Sequence, residues 1–280
     1  MAQREPAGAG PSGRSVLTDT PRSAYRVLEA RTTIAATGVL VGLGALAWVW
    51  TVASNRGMGD MTVGLAPGGG MMAMSFDMSL GFFLGMWTAM MVAMMLPTVG
   101  PIVLLHRMVT RRRGEGPAAS AGLVVGYLAV WVLVGVVPYA FLSAVRDVPR
   151  DDGWLVPFGG AVLVVAGAYQ FTAWKDACQR ACRTPLSFVM THDFGRGLLQ
   201  AARVGVTHGL YCVGCCWALM AVLVVVGLTN LAWMAGIALI FLAEKHWRHA
   251  VALSRVAGTV LIALGVAILV DPSALGSIAG

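Results

Sequence analysis

Charge is scarce in this chain. Of 280 residues only 12% are charged, while 58% are hydrophobic. A soluble domain carries roughly 25% charged residues, so a water-exposed globular fold is excluded over most of the length. The net charge is +7, yet no basic face interleaved with aromatic residues occurs, which excludes a nucleic-acid-binding surface. The lysines and arginines sit between apolar runs, where they set topology. Cysteine is scarce too: there are five, all between positions 178 and 216. The sequence offers no nucleophile–base–orienter set, no glycine-rich phosphate loop and no paired carboxylates inside an apolar run, so no catalytic residues are assigned. No internal repeat is present.

What is there is a series of apolar runs long enough to cross a bilayer. They predict an all-α, polytopic transmembrane helix bundle of about seven spans, near 33–53, 80–105, 119–144, 154–174, 204–227, 230–243 and 256–271. The sixth is short for a crossing and is joined to the fifth by a tight turn at Gly227-Leu-Thr-Asn230. Residues 1–31 are polar, rich in proline, glycine and arginine, and read as a disordered basic cytoplasmic tail. Val52-Ala53-Ser54 has the look of a signal-peptide cleavage site. The run from Thr33 to Val52 is longer than a signal core, however, and reads as a retained first span. The transmembrane domain occupies 32–272, with an outer loop at 54–79 and a cysteine-containing cytoplasmic loop at 175–203. Residues 273–280 form a short outer tail. Seventeen of the twenty basic residues fall on one set of alternate loops and three on the other. The positive-inside rule then places the amino terminus inside and the carboxyl terminus outside.

One stretch organises the rest: His208-Gly-Leu-Tyr-Cys212-Val-Gly-Cys215-Cys216-Trp-Ala-Leu-Met220. On a helix, positions i, i+4, i+7 and i+8 share a face, so His208, Cys212, Cys215 and Cys216 form one stripe. Cys178 and Cys182 lie just upstream. If the fourth helix continues past the membrane, Gln170, Trp174, Cys178 and Cys182 align along it at four-residue steps. At ~1.5 Å rise per residue, Cys212 lies roughly 12 Å and His208 roughly 6 Å inside the inner surface. The two cysteine groups therefore meet if the fourth and fifth spans pack together. A reducing cytoplasm disfavours structural disulfides there.

Thiolates select copper(I), zinc or iron–sulfur clusters. Methionine tilts the choice to copper(I), with zinc as the other candidate. Met58, Met61, Met71, Met72, Met74 and Met78 stand in the outer loop, and Met86, Met90 and Met94 share a face of the second span. Pro97 and Pro101 interrupt and kink that span. Against this stand plainer readings. Cysteine and methionine both fill helix interiors well, and a single buried histidine is commonly a core residue, although an ionisable group inside a span is a functional hypothesis by default. His106, His192, His246 and His249 read as solvated inner-loop residues, and Glu244-Lys245 as an interfacial ion pair closing the sixth span, with a role in the site as its alternative. Cys212-x-x-Cys215 also has thiol–disulfide redox spacing.

Three blocks resemble a bacterial family of predicted metal-binding integral membrane proteins, a domain of unknown function with some members labelled copper chaperones. They are Met86-Trp-Thr-Ala-Met-Met-Val-Ala-Met-Met-Leu-Pro97 with Pro101; Tyr169-Gln170, Lys175, Cys178, Cys182-Arg183 and Pro185; and the His208–Met220 stretch with Glu244-Lys245. Together they cover about 80 to 270. The resemblance implies metal binding through these cysteines. It also leads one to expect a proline between Tyr-Gln and Lys, where this chain has Phe171-Thr-Ala-Trp174.

The expected function is a multi-pass protein of a bacterial plasma membrane that handles a soft metal ion, as chaperone or transporter. Its site residues would be Cys178, Cys182, His208, Cys212, Cys215, Cys216, Met86, Met90 and Met94. Its partners would be the lipid bilayer, the metal ion, and a soluble protein that delivers or accepts the metal. Two rivals remain open: a membrane thiol-disulfide redox enzyme using Cys212 and Cys215, and a scaffold or assembly subunit whose cysteines only pack.

Overall fold

The computed structural model describes residues 20–58, 79–145, 153–184, 188, 196–228 and 230–274. Among them are eight α-helices and no strand: α1 (Thr20–Met58), α2 (Leu80–Arg112), α3 (Pro117–Val145), α4 (Leu155–Tyr169), α5 (Ala173–Arg183), α6 (Leu198–Val226), α7 (Leu231–His246) and α8 (Ala250–Val270). Five of these are long and apolar enough to cross a membrane, or six if the bent pair α4–α5 counts as one span. Each of the seven expected apolar runs is helical. The sixth run forms α7, which has 16 residues, short of the ~20 that a ~30 Å hydrocarbon layer needs. The tight turn before α7 is present. Gly227, at φ +118°, ends α6, and the Asn230 side chain caps α7 by accepting from the Ala232 and Trp233 amides. The outer-loop methionines Met61, Met71, Met72, Met74 and Met78, the side chain of Met58, and His192 lie outside the described residues.

Two expectations change. The second span is not interrupted by its prolines: α2 runs unbroken for 33 residues with Pro97 and Pro101 inside it. Proline cannot donate to the carbonyl four residues back, which for Pro97 is that of Ala93. The Trp48 indole of α1 donates to that carbonyl at 3.1 Å. The freed acceptor is thus satisfied by a neighbouring helix, as a membrane interior requires.

The fourth helix, by contrast, does not continue. It stops at Tyr169, and α5 leaves at 65° to it. No proline is needed for this break. Thr172 takes an extended conformation and its hydroxyl accepts from the Lys175 amide at 3.3 Å, which is a helix N-cap. Asp176 in the first turn, with Arg180 and Arg183 in the last, suits the helix dipole of α5. Replacing Thr172 by alanine is expected to cost about 1 kcal/mol and to speed amide hydrogen exchange at Ala173–Lys175, leaving the α4 amides unchanged.

The core is built on two close helix pairs. In α3 and α6 the backbones nearly touch: a Cβ on Gly126 would fall 2.1 Å from the Ala202 carbonyl oxygen, and one on Gly205 would fall 2.0 Å from that of Leu123. Small residues permit such crossings in membranes. The α4 and α8 helices meet in the same way. The thiol-bearing face of α6 therefore looks onto α3, α5 and the end of α7.

Candidate metal centre

All five cysteines are free. On α6, His208, Cys212, Cys215 and Cys216 are all buried, as one inward stripe requires. The broken span supplies the other thiols. Because α5 turns back across α6, the Cys182 sulfur lies 3.9 Å from that of Cys215. The sulfurs of Cys182, Cys212 and Cys215 all lie within 4.8 Å of one another. Cys178 sits one turn earlier on α5, its sulfur against Gly214, where a Cβ would approach it to 2.6 Å. Cys216 is turned aside, with its thiol donating to the Cys212 carbonyl at 2.8 Å. Cys215 also points a thiol at that carbonyl, at 3.1 Å.

His208 stands apart from the three-sulfur group. Its ring packs on Tyr127 and Phe188, with centroids at 5.9 and 5.2 Å. Its Nδ1 is buried with no hydrogen-bond partner among the described residues. Of the methionines, Met90 and Met94 are buried in the core and Met86 is half-buried. Met94 precedes by one turn Thr98, which touches the site as described next. A cavity of about 410 Å³ lies along another face of α6, walled by Trp87, Trp131, Phe141, Phe158, Trp217 and Met220 among other apolar residues. It contains none of the candidate ligands.

The largest departure from expectation concerns charge. Glu244 and Lys245 do not pair with each other at an interface. Lys245 is buried and donates to the Cys212 sulfur at 3.0 Å and to the Thr98 hydroxyl at 3.0 Å. The Tyr127 hydroxyl lies 3.2 Å from the same sulfur. Glu244 points the other way and pairs with Lys175 of α5 at 2.8 Å, both side chains being almost wholly buried. Gln170 also accepts from Lys175, and Ser254 donates to Glu244 at 2.7 Å. Burying two lysines and a glutamate is costly unless each is paired, and these contacts are the pairing. Tyr127, Thr98, Gln179 and Ser254 escaped the sequence reading because each lies on a different helix and looks like an ordinary interior polar residue. In the sequence Lys175 reads as a topology-setting cation, while Lys245 has a role in the site as its alternative reading. His106 is another correction: it is fully buried within α2, with Nδ1 3.2 Å from the Ser120 hydroxyl of α3. His246 and His249 are exposed, as expected.

Chemically, the arrangement offers soft sulfur donors from two separate elements around one point, next to a fixed ammonium. A family model described as PpoB2, copper chaperone, matches residues 84–268. No curated protein and no solved structure matches the chain.

Proposed function

Because the chain belongs to this copper chaperone family, we propose that it is a multi-pass membrane protein holding copper(I) as its cargo on Cys182, Cys212 and Cys215. The observation that carries the reading is the approach of three sulfurs within 4.8 Å, brought together from α5 and α6. Thiolates are the side chains that select copper(I). The Lys245 ammonium supports the reading through charge: two thiolates, one copper(I) and one ammonium sum to zero, and a neutral cluster is the least costly to keep in an apolar interior. Zinc(II) reaches the same balance with all three thiolates, so the preference for copper(I) comes from the family. Cys178, Cys216 and His208 border the centre and serve as alternative ligands when the ion arrives or leaves.

In this reading the bundle crosses a bacterial plasma membrane seven times, α7 and the bent pair included, with the amino terminus inside. Two contacts support gathering the basic segments at one end: the Gly197 amide donates to Glu115 at 3.1 Å, and Arg183 to the Trp247 carbonyl at 2.8 Å. The centre then lies toward the cytoplasm, where a soluble protein delivers or accepts the ion. The outer-loop methionines collect or release it, and Met86, Met90 and Met94 lie along its path.

The test is metal content by mass spectrometry on detergent-purified protein, prepared anaerobically after growth with added copper. Near-stoichiometric copper is expected in the parent and background copper in the variant with Cys212, Cys215 and Cys216 replaced by serine. Zinc in the same pattern would keep the centre and discard copper. No metal in either protein would overturn the proposal and favour a redox role for Cys212 and Cys215.

A further inference from the structure

The short helix α5 carries two stripes. Lys175, Gln179 and Arg183 recur at four-residue steps and share a face, and all three reach the elbow between α7 and α8. Lys175 donates to the Glu244 carboxylate at 2.8 Å. Gln179 donates to the Glu244 carbonyl at 3.4 Å and to the Ser254 hydroxyl at 3.5 Å, and Arg183 donates to the Trp247 carbonyl at 2.8 Å. The second stripe is Cys178 and Cys182, which looks onto α6, against Gly214 and Cys215.

Besides its packing on α6, these contacts set how α5 is turned about its own axis. It has 11 residues, too few to be a stable helix alone. The break at residues 170–172 turns it away from the axis of α4, to which it stays tied by the Lys175–Gln170 hydrogen bond. Gly214, opposite Cys178, leaves the space in which the Cys178 sulfur sits. A buried Lys–Glu pair has one low-energy arrangement, since separating its members strands a charge in an apolar interior.

We propose that Glu244 is the positioning residue of the thiol centre: through Lys175 it fixes the rotation of α5, and so the register of Cys182 on Cys215. The next residue, Lys245, holds Cys212. One elbow therefore sets both halves of the centre, the thiols of α5 by an anion and those of α6 by a cation. This rests on the reading that these thiols form one centre, but its test uses no metal.

The experiment measures the rate at which dibromobimane, which fluoresces on joining two thiols, bridges chosen cysteine pairs in chelator-treated, detergent-solubilised full-length protein. One background retains only Cys182 and Cys215; a control retains only Cys212 and Cys215, both on α6. Each is combined with Glu244→Gln and with the double change Lys175→Met/Glu244→Met, which leaves no stranded charge. Both variants are expected to slow the Cys182–Cys215 bridge by about tenfold, because reaction between held groups is steeply sensitive to their geometry. The Cys212–Cys215 bridge is expected to keep its parent rate. A Cys182–Cys215 bridge at the parent rate in the folded double variant would overturn the proposal, since the pair would then be mere cement. An equal fall in both bridges would overturn it too, as general unfolding. Protein that binds no metal but shows the expected bridging pattern would remove copper and leave Glu244 in its role.

Discussion

Replacing Gly205 by valine is expected to be among the most damaging single substitutions in this protein, at about 3 kcal/mol or more, the upper end of overpacking costs. The first carbon of any side chain there would lie 2.0 Å from the Leu123 carbonyl oxygen and 2.9 Å from both the Leu123 carbonyl carbon and the Tyr127 amide nitrogen. All three are backbone atoms of α3, so no rotamer change relieves the clash, and the two helices must separate. Separation also pulls Tyr127 away from Cys212 and from the His208 ring, which it touches only across this crossing. The loss should appear in detergent as a lower midpoint of thermal unfolding and a reduced yield of folded protein. Gly85→Ala is the natural control. Nothing lies within 4 Å of a Cβ there, and alanine in a helix interior is favoured over glycine by about 1 kcal/mol, so that variant should be neutral or slightly more stable.

The second large effect is a non-additive pair. Lys175→Met alone and Glu244→Met alone should each destabilise by about 3–5 kcal/mol, because each leaves the other charge buried without its partner. Ser254 and Gln170 lose part of their hydrogen bonding at the same time, and an unsatisfied buried group costs about 1–3 kcal/mol. The double variant should recover most of this, since apolar residues of similar volume can replace a buried ion pair at little or no net cost. Chemical unfolding of the four proteins in one detergent measures the cycle. Additive losses would mean that the two side chains do not depend on each other, contrary to their 2.8 Å contact.

Much of this architecture was legible in the residues. Apolar runs separated by basic segments predicted helices in the right places, because hydrophobic length and charge placement are properties of the chain itself. The inward stripe of His208, Cys212, Cys215 and Cys216 followed from helical spacing alone. The break between α4 and α5 was not legible. Thr172 is one unremarkable threonine, and its capping role exists only once the chain has turned. The same holds for Glu244 and Lys245. As neighbours in sequence they invite a pairing with each other, but consecutive residues on a helix point about 100° apart. Which partners they meet depends on where α5 and α6 have been carried. Pro97 misled in a similar way: a breaker by its own chemistry, it left α2 whole because another helix took up the freed acceptor.

That last contact bears on the order in which the bundle is put together. The Ala93 carbonyl is vacant only against an already wound α2, since in an unwound segment every carbonyl is equally vacant and none is distinctive. Trp48 therefore has no address until α2 has formed. The window of α1 from Thr37 to Ser54 is only 11% buried in the bundle, and α2 is the helix it packs on. Because α1 precedes α2 in the chain, its berth is made after it. Its anchor on α2 is a joint created by a missing amide hydrogen.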